Sequence, residues 1–412
     1  MPLLRKVLML WLWLAACLPL WVSAQAPANA PGGLPGQPPS SPQFAAPLPG
    51  AAPVVTKTAA GSARRIALLL PPPSGPLTRP VEAVRAGVRA AQALAGEPVE
   101  VQTIEVDEQP EALERALRSA RERGADVIIG PLLRPQDNAV LGADPGLPLV
   151  TLSLPDVDVK ASADVLAFGL GIETDARWLV QAALALVAAA RAAEMPVAPR
   201  GAPPPASVPP QFVILVGEGP LARRAAGALQ AALKEAGERA VTINVAAGYD
   251  ALQHLGDRLF NLGPKAVFLA LDAREAAMVR PRLAHDAALY ATSLVNAGGA
   301  EGTLLMPSLE GIRFVDVPWV VEPDHPAVMA YARPAQPLSA ELNRLYALGI
   351  DAFRLALDWG GGWRSFSIDG VTGALQVDRA RGVRVERTPS FAVFRDGKVQ
   401  RWDAPIRQSP RR

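Results

Sequence analysis

Residues 65–96, RIALLLPPPSGPLTRPVEAVRAGVRAAQALAG, carry the pattern that most restricts the fold. Residues 66–70 are an unbroken apolar run too short for a helix, as expected of a strand buried on both faces of a parallel sheet. Thr78 and Pro80 then offer an N-cap and an early proline. Val81, Val84, Val88 and Leu94 fall on one helical face, Arg85, Arg89 and Gln92 face away, and Gly96 stops the helix. The unit returns as a helix over 111–123 and a strand over 125–129. Alternation of this kind predicts an α/β fold with a parallel sheet. Ligands of such sheets bind at the carboxyl ends of strands, so residues 71–78, with Ser74, and 130–135 are expected to line one cleft.

Further strands are expected at 147–153 (LPLVTLS) and 165–170 (VLAFGL). A helix over 175–194 puts Trp178, Leu179, Ala182, Leu186 and Val187 on one face, with Thr174 as its cap. Residues 195–210 are Pro-rich and longer than an ordinary helix-to-strand connection, which predicts a surface insertion. From Gln211 the alternation restarts: QFVILV, VTINV, AVFLAL and ALYATS read as four strands of a second parallel sheet, separated by helices over 220–236, 249–260 and 273–283. A helix over 339–357 turns Leu342, Leu345, Tyr346, Ile350 and Phe353 inward, and the C-terminal part reads as short strands joined by Gly turns.

An apolar fraction of 50 % with 19 % charged residues supports two cores in a chain of 412 residues. The net charge of +2, with no basic stripe, argues against a nucleic-acid partner. The single cysteine, Cys17, falls within an export leader over residues 1–24: Arg5 and Lys6, an apolar run from Val7, then Val22-Ser23-Ala24. Leu14-Ala15-Ala16-Cys17 also fits a lipobox, so the mature chain is expected to begin at a lipidated Cys17 or at Gln25. Residues 25–63 are Pro, Ala, Gly and Ser with almost no large apolar side chains, a composition that predicts a disordered tether. Three histidines without paired spacing, and no G-x-S-x-G, H-E-x-x-H or Walker pattern, point away from an enzyme, a metal site or a cofactor.

RIALLLPPPSGP, GADVIIGPLL, LPLVTLS, FGLGIETDAR, QFVILVGEG, AVFLAL, YATS, GGAEGTLLMP, LYALGIDAFRLA and IDGVTGALQVD resemble, in this order, the type I periplasmic binding protein fold over residues 64–402. GPLLRPQ, RPRLAHDAALYATS, EGIRFVDVPWVV and LYALGIDAFRLA are similar to the LppC or LpoA family of penicillin-binding-protein activators. Known members are outer-membrane lipoproteins that stimulate a class A peptidoglycan synthase and carry a helical-repeat domain where this sequence has its tether. The resemblance implies two lobes, 64–168 with 293–382 and 169–292 with 383–402, followed by a tail over 403–412. The chain would cross between them near 169–172, 292–296 and 383–389.

Several residues combine a possible functional role with a plain structural one. Gly217-Glu218-Gly219-Pro220 loosely matches a dinucleotide turn, but VTINV ends without the acidic residue a ribose needs, so a tight turn into a helix is the better reading. Asp272 could meet a ligand ammonium, yet Asp272-Ala273-Arg274-Glu275 spells a capping box, which is favoured. Thr151, Ser153 and Thr292 are further cleft-lining candidates, with strand-end roles as the alternative. Leu132 and Leu133 offer no hydroxyls, so a small polar ligand is doubtful. Trp319, Trp359 and Trp363 are partner-surface candidates, with core burial as the commoner fate of a tryptophan. Two readings remain: an activator that binds a class A penicillin-binding protein, and a solute-binding protein of an ABC transporter for amino acids or amides. A DNA-binding regulator is excluded by the leader and the absent helix-turn-helix.

Overall fold

The computed structural model describes residues 63–107, 109–132, 144–154, 162–194, 212–245, 248–283 and 287–405. The leader with Cys17, the tether up to residue 62, Leu133 with Arg134, and the whole Pro-rich insertion lie outside the described residues. Five parallel strands form one sheet in the order β2-β1-β3-β4-β5: β1 Arg64–Leu70, β2 Val99–Glu105, β3 Val127–Ile129, β4 Leu149–Thr151 and β5 Val165–Ala167. The two-sided burial expected of residues 66–70 is met, since all five are closed off from solvent. Helix Thr78–Ala93 begins after a 3-10 turn with Leu77 at the N-cap, one residue before the expected Thr78.

The second sheet has the order β15-β14-β10-β9-β8-β6-β7. Its parallel part is β6 Phe212–Val216, β7 Ala240–Asn244, β8 Ala266–Ala270, β9 Ala288–Ala291 and β10 Arg313–Asp316. The antiparallel β14 Ser390–Arg395 and β15 Lys398–Arg401 complete it. The expected crossing at 292–296 is therefore corrected. Arg313 and Phe314 of β10 pair with Tyr290 and Ala291 of β9, so the Gly-rich residues after Ser293 lead into one more crossover helix, Gly299–Leu305, and not into the first lobe. The chain crosses after Asp316 instead, through helix Pro318–Val321.

Helix Ala340–Gly360, with the Ser339 hydroxyl accepting from Leu342 N–H, returns to the first lobe and covers its sheet. It lies directly against helix Thr78–Ala93. A Cβ on Gly87 would sit 2.0 Å from the Tyr346 carbonyl oxygen, and one on Gly349 would sit 2.2 Å from that of Val84. Two backbones this close leave no room for a side chain at either position. A small antiparallel sheet, β11 Ser365–Asp369, β12 Ala374–Asp378 and β13 Glu386–Thr388, completes this lobe.

Gly349→Ala is expected to lower the unfolding free energy by about 1–3 kcal/mol through overpacking. Gly227, inside helix Pro220–Glu235 with open space around it, is the contrast, and Gly227→Ala should raise stability by about 0.5–1 kcal/mol. Urea denaturation of both variants beside the parent protein checks the pair.

Candidate functional site

Ser74 is exposed, ahead of the 3-10 turn, and Leu132 is half-buried against the first-lobe core. Thr151 is fully buried at the end of β4, its hydroxyl 3.1 Å from that of the half-buried Ser153. Thr292 is likewise fully buried at the end of β9. Asp272 adopts the capping role: its carboxylate accepts from Glu275 N–H at 2.8 Å, and Glu275 reaches back to Asp272 N–H at 3.0 Å. Glu275 also accepts from Glu218 N–H at 3.1 Å, and its carboxylate fills the space a Cβ on Gly217 would need. The Gly217 turn thus houses a carboxylate, and a dinucleotide phosphate there would meet negative charge.

Two of the three tryptophans are corrected as partner-surface candidates, because both are fully buried in the first-lobe core. Trp319 donates its indole N–H to Asn343 Oδ1 at 3.0 Å beneath the Arg333 guanidinium, 4.1 Å from the ring centre. Trp359 lies in the last turn of its helix, before the glycines, and donates to the Asp164 carbonyl at 2.9 Å under Arg364. Trp363 remains 46 % exposed.

A set of buried charges that the sequence reading did not single out lies where the lobes join. Asp316 ends β10, and its fully buried carboxylate takes the Arg344 guanidinium in a two-pronged contact, 2.7 Å on each oxygen. Asn296 Nδ2 and Val317 N–H donate to the same carboxylate, while Arg344 also donates to the Ser293 and Asn296 carbonyls. Burial pulls the Arg344 guanidinium down, but Asp316 outweighs it and leaves it above its ordinary value. Asp175, in the first turn of helix Ile172–Glu194, pairs with Arg387 of β13 at 2.5 Å, both nearly closed to solvent. Burial pushes the Asp175 carboxyl up against the pull of Arg387. Asp351 is a third case: it accepts from Val371 N–H, Thr372 N–H and the Thr372 hydroxyl, holding the IDGVTG turn on helix Ala340–Gly360.

Beside Arg387 is a pocket of about 550 Å³ whose lining includes Arg177, Trp178, Gln181, Arg381, Arg384 and Glu386. None of the expected cleft residues among those described lines it. Its side chains carry both signs of charge, and Arg381 is paired with Asp378. Among the described residues, no three His, Cys, Asp or Glu side chains are grouped as metal ligands would be.

Residues 230–397, which contain Asp316, Arg344, Asp351 and Arg387, match the family described as "LppC putative lipoprotein". A Klebsiella pneumoniae protein named penicillin-binding protein activator LpoA is 24 % identical over 313 residues, 71 % of this chain and 43 % of the relative. Over these residues the chain is similar to the LppC/LpoA-type family. It spans less than half the length of that curated family member. A solved structure from Chromobacterium violaceum, described as "a putative branched-chain amino acid ABC transporter", is 32 % identical with a TM-score of 0.61, covering 80 % of this chain and 99 % of the other. The LpoA (YraM) C-domain from Haemophilus influenzae, described as a regulator of PBP1A, is 20 % identical with a TM-score of 0.59 over 82 % of this chain and 100 % of the other. These likenesses set the chain on a type I periplasmic-binding-protein-like fold.

The tryptophan placements predict a sharp division. Trp319→Ala and Trp359→Ala should each cost about 3–5 kcal/mol in chemical denaturation. Trp363→Ala should stay within about 0.5 kcal/mol of the parent.

Proposed function

We propose that the protein is a non-enzymatic, periplasmic activator of a class A penicillin-binding protein, acting by protein–protein binding. The observation that carries this reading is the match to the activator LpoA over 71 % of the chain. The site chemistry supports it. An amino-acid binder needs free polar groups converging on its ligand, and here Asp272 and Glu275 are engaged with backbone N–H groups, Thr151 lies beside Ser153, and Leu132 presents an aliphatic side chain. Activation requires no reactive group, only tighter binding to the active form of the partner than to the inactive one. A difference of about 1.4 kcal/mol gives a tenfold shift. Within this reading the leader exports the chain, and Cys17, if lipidated, anchors it to the outer membrane with residues 25–63 as the tether. Trp363 is the remaining aromatic candidate for the partner surface.

A second reading, solute binding for an ABC transporter, is favoured by one specific observation: the 32 % identical Chromobacterium violaceum structure described in those terms. Affinity capture from solubilised envelopes followed by a lipid II polymerisation assay separates the two. The activator reading predicts that a class A synthase is retained and that its rate rises with added protein. Capture of a transporter permease, with no synthase changing rate, would contradict it and support the rival.

A further inference from the structure

All three connections between the lobes are pinned, and we propose that together they fix a single interlobe angle, so that the lobes form one rigid body and do not open and close on a ligand. The first connection ends where helix Ile172–Glu194 begins. Within its first two turns Asp175 pairs with Arg387, and Trp178 Nε1 donates to the Arg387 carbonyl at 3.0 Å.

The second connection is helix Pro318–Val321. Trp319 is sunk in the core of the first lobe, Val321 in a core of the second, and Val320 packs against both. The third runs beside the five-stranded sheet before it crosses. Ala167 N–H donates to the Val383 carbonyl at 2.7 Å and Val385 N–H to that of Ala167 at 2.9 Å, after which β13 and β14 enter the other two sheets.

The two ion pairs are themselves joined. The Ser293 hydroxyl lies 3.4 Å from Asp175 Oδ2, while its carbonyl accepts from Arg344 at 2.8 Å. Domain closure about a hinge needs a few residues that absorb dihedral changes without leaving packed surroundings. A rotation that keeps Trp319 in its core draws Val321 out of the other, and a twist at the first or third connection separates Asp175 from Arg387.

The test is a distance measured across the junction. In the full chain with Cys17→Ser, the exposed Arg79 and Asp257 are each changed to Cys and spin-labelled, one on each lobe. Double electron–electron resonance is recorded with and without millimolar leucine. The rigid junction predicts one narrow distance distribution that leucine does not move, and a distribution at least twice as wide in Arg387→Met and Trp319→Leu. If Trp319→Leu does not fold, as judged by circular dichroism, Val321→Ala supplies the same readout with a smaller deletion. Two distances in the parent, a shift on adding leucine, or a folded junction variant as narrow as the parent would each overturn the proposal.

Discussion

The Asp316 carboxylate is the point on which the two lobes depend. Taking a charged carboxylate out of water costs several kcal/mol, and the cost is recovered only when good geometry and further hydrogen bonds satisfy it. Here the fork of Arg344, the Asn296 amide and the Val317 N–H all converge on it. Those partners come from helix Ala340–Gly360, from the connection after β9 and from the next residue in the chain. Satisfying one carboxylate therefore fixes the end of the second-lobe sheet relative to the main covering helix of the first. Trp319, three residues further on, follows into the first-lobe core.

This wiring makes the first lobe discontinuous in sequence. The main core packs residues between Ile66 and Phe168 against residues between Val317 and Val385, so the N-terminal sheet lacks one of its covering layers until the chain has passed through the second lobe. The Gly87 and Gly349 contact and the Asp351 grip on the IDGVTG turn then close it. Contacts of such long sequence separation carry a loop-closure cost that local packing does not. A scaffold tied together this way presents fixed surfaces, which suits a protein proposed to act by touching another.

Much of the framework was legible because strand burial and helix period leave direct marks: residues 66–70 and 212–216 are unbroken apolar runs, and both are buried throughout. The Asp272 capping box was equally readable, since its logic is local. Topology near Gly298 was not. Ala297-Gly298-Gly299 looks like a linker, and only the pairing of β10 with β9 shows it to precede a crossover helix. Trp319 and Trp359 defeat a sequence reading for a similar reason: each sits beside turn-forming prolines or glycines, while the Asn343 amide that receives Trp319 and the Asp164 carbonyl that receives Trp359 lie 24 and 195 positions away. The junction charges were invisible because Asp175 and Arg387 are 212 positions apart, and single-sequence periodicity carries no signal for such a pair. The one available hint was Asp316 inside the apolar run FVDVPWVV, an acidic residue where burial is otherwise continuous.

A double-mutant cycle on Asp316 and Arg344, read by equilibrium denaturation, tests the role of this junction most directly. Each single change to alanine leaves a charge or its partners stranded and should cost about 3–5 kcal/mol. The double variant should cost less than the sum of the two by about 2 kcal/mol, as expected for side chains in one network. Single effects that simply add, to within about 0.5 kcal/mol, would show that the two side chains act independently and would contradict a fold organised around their contact.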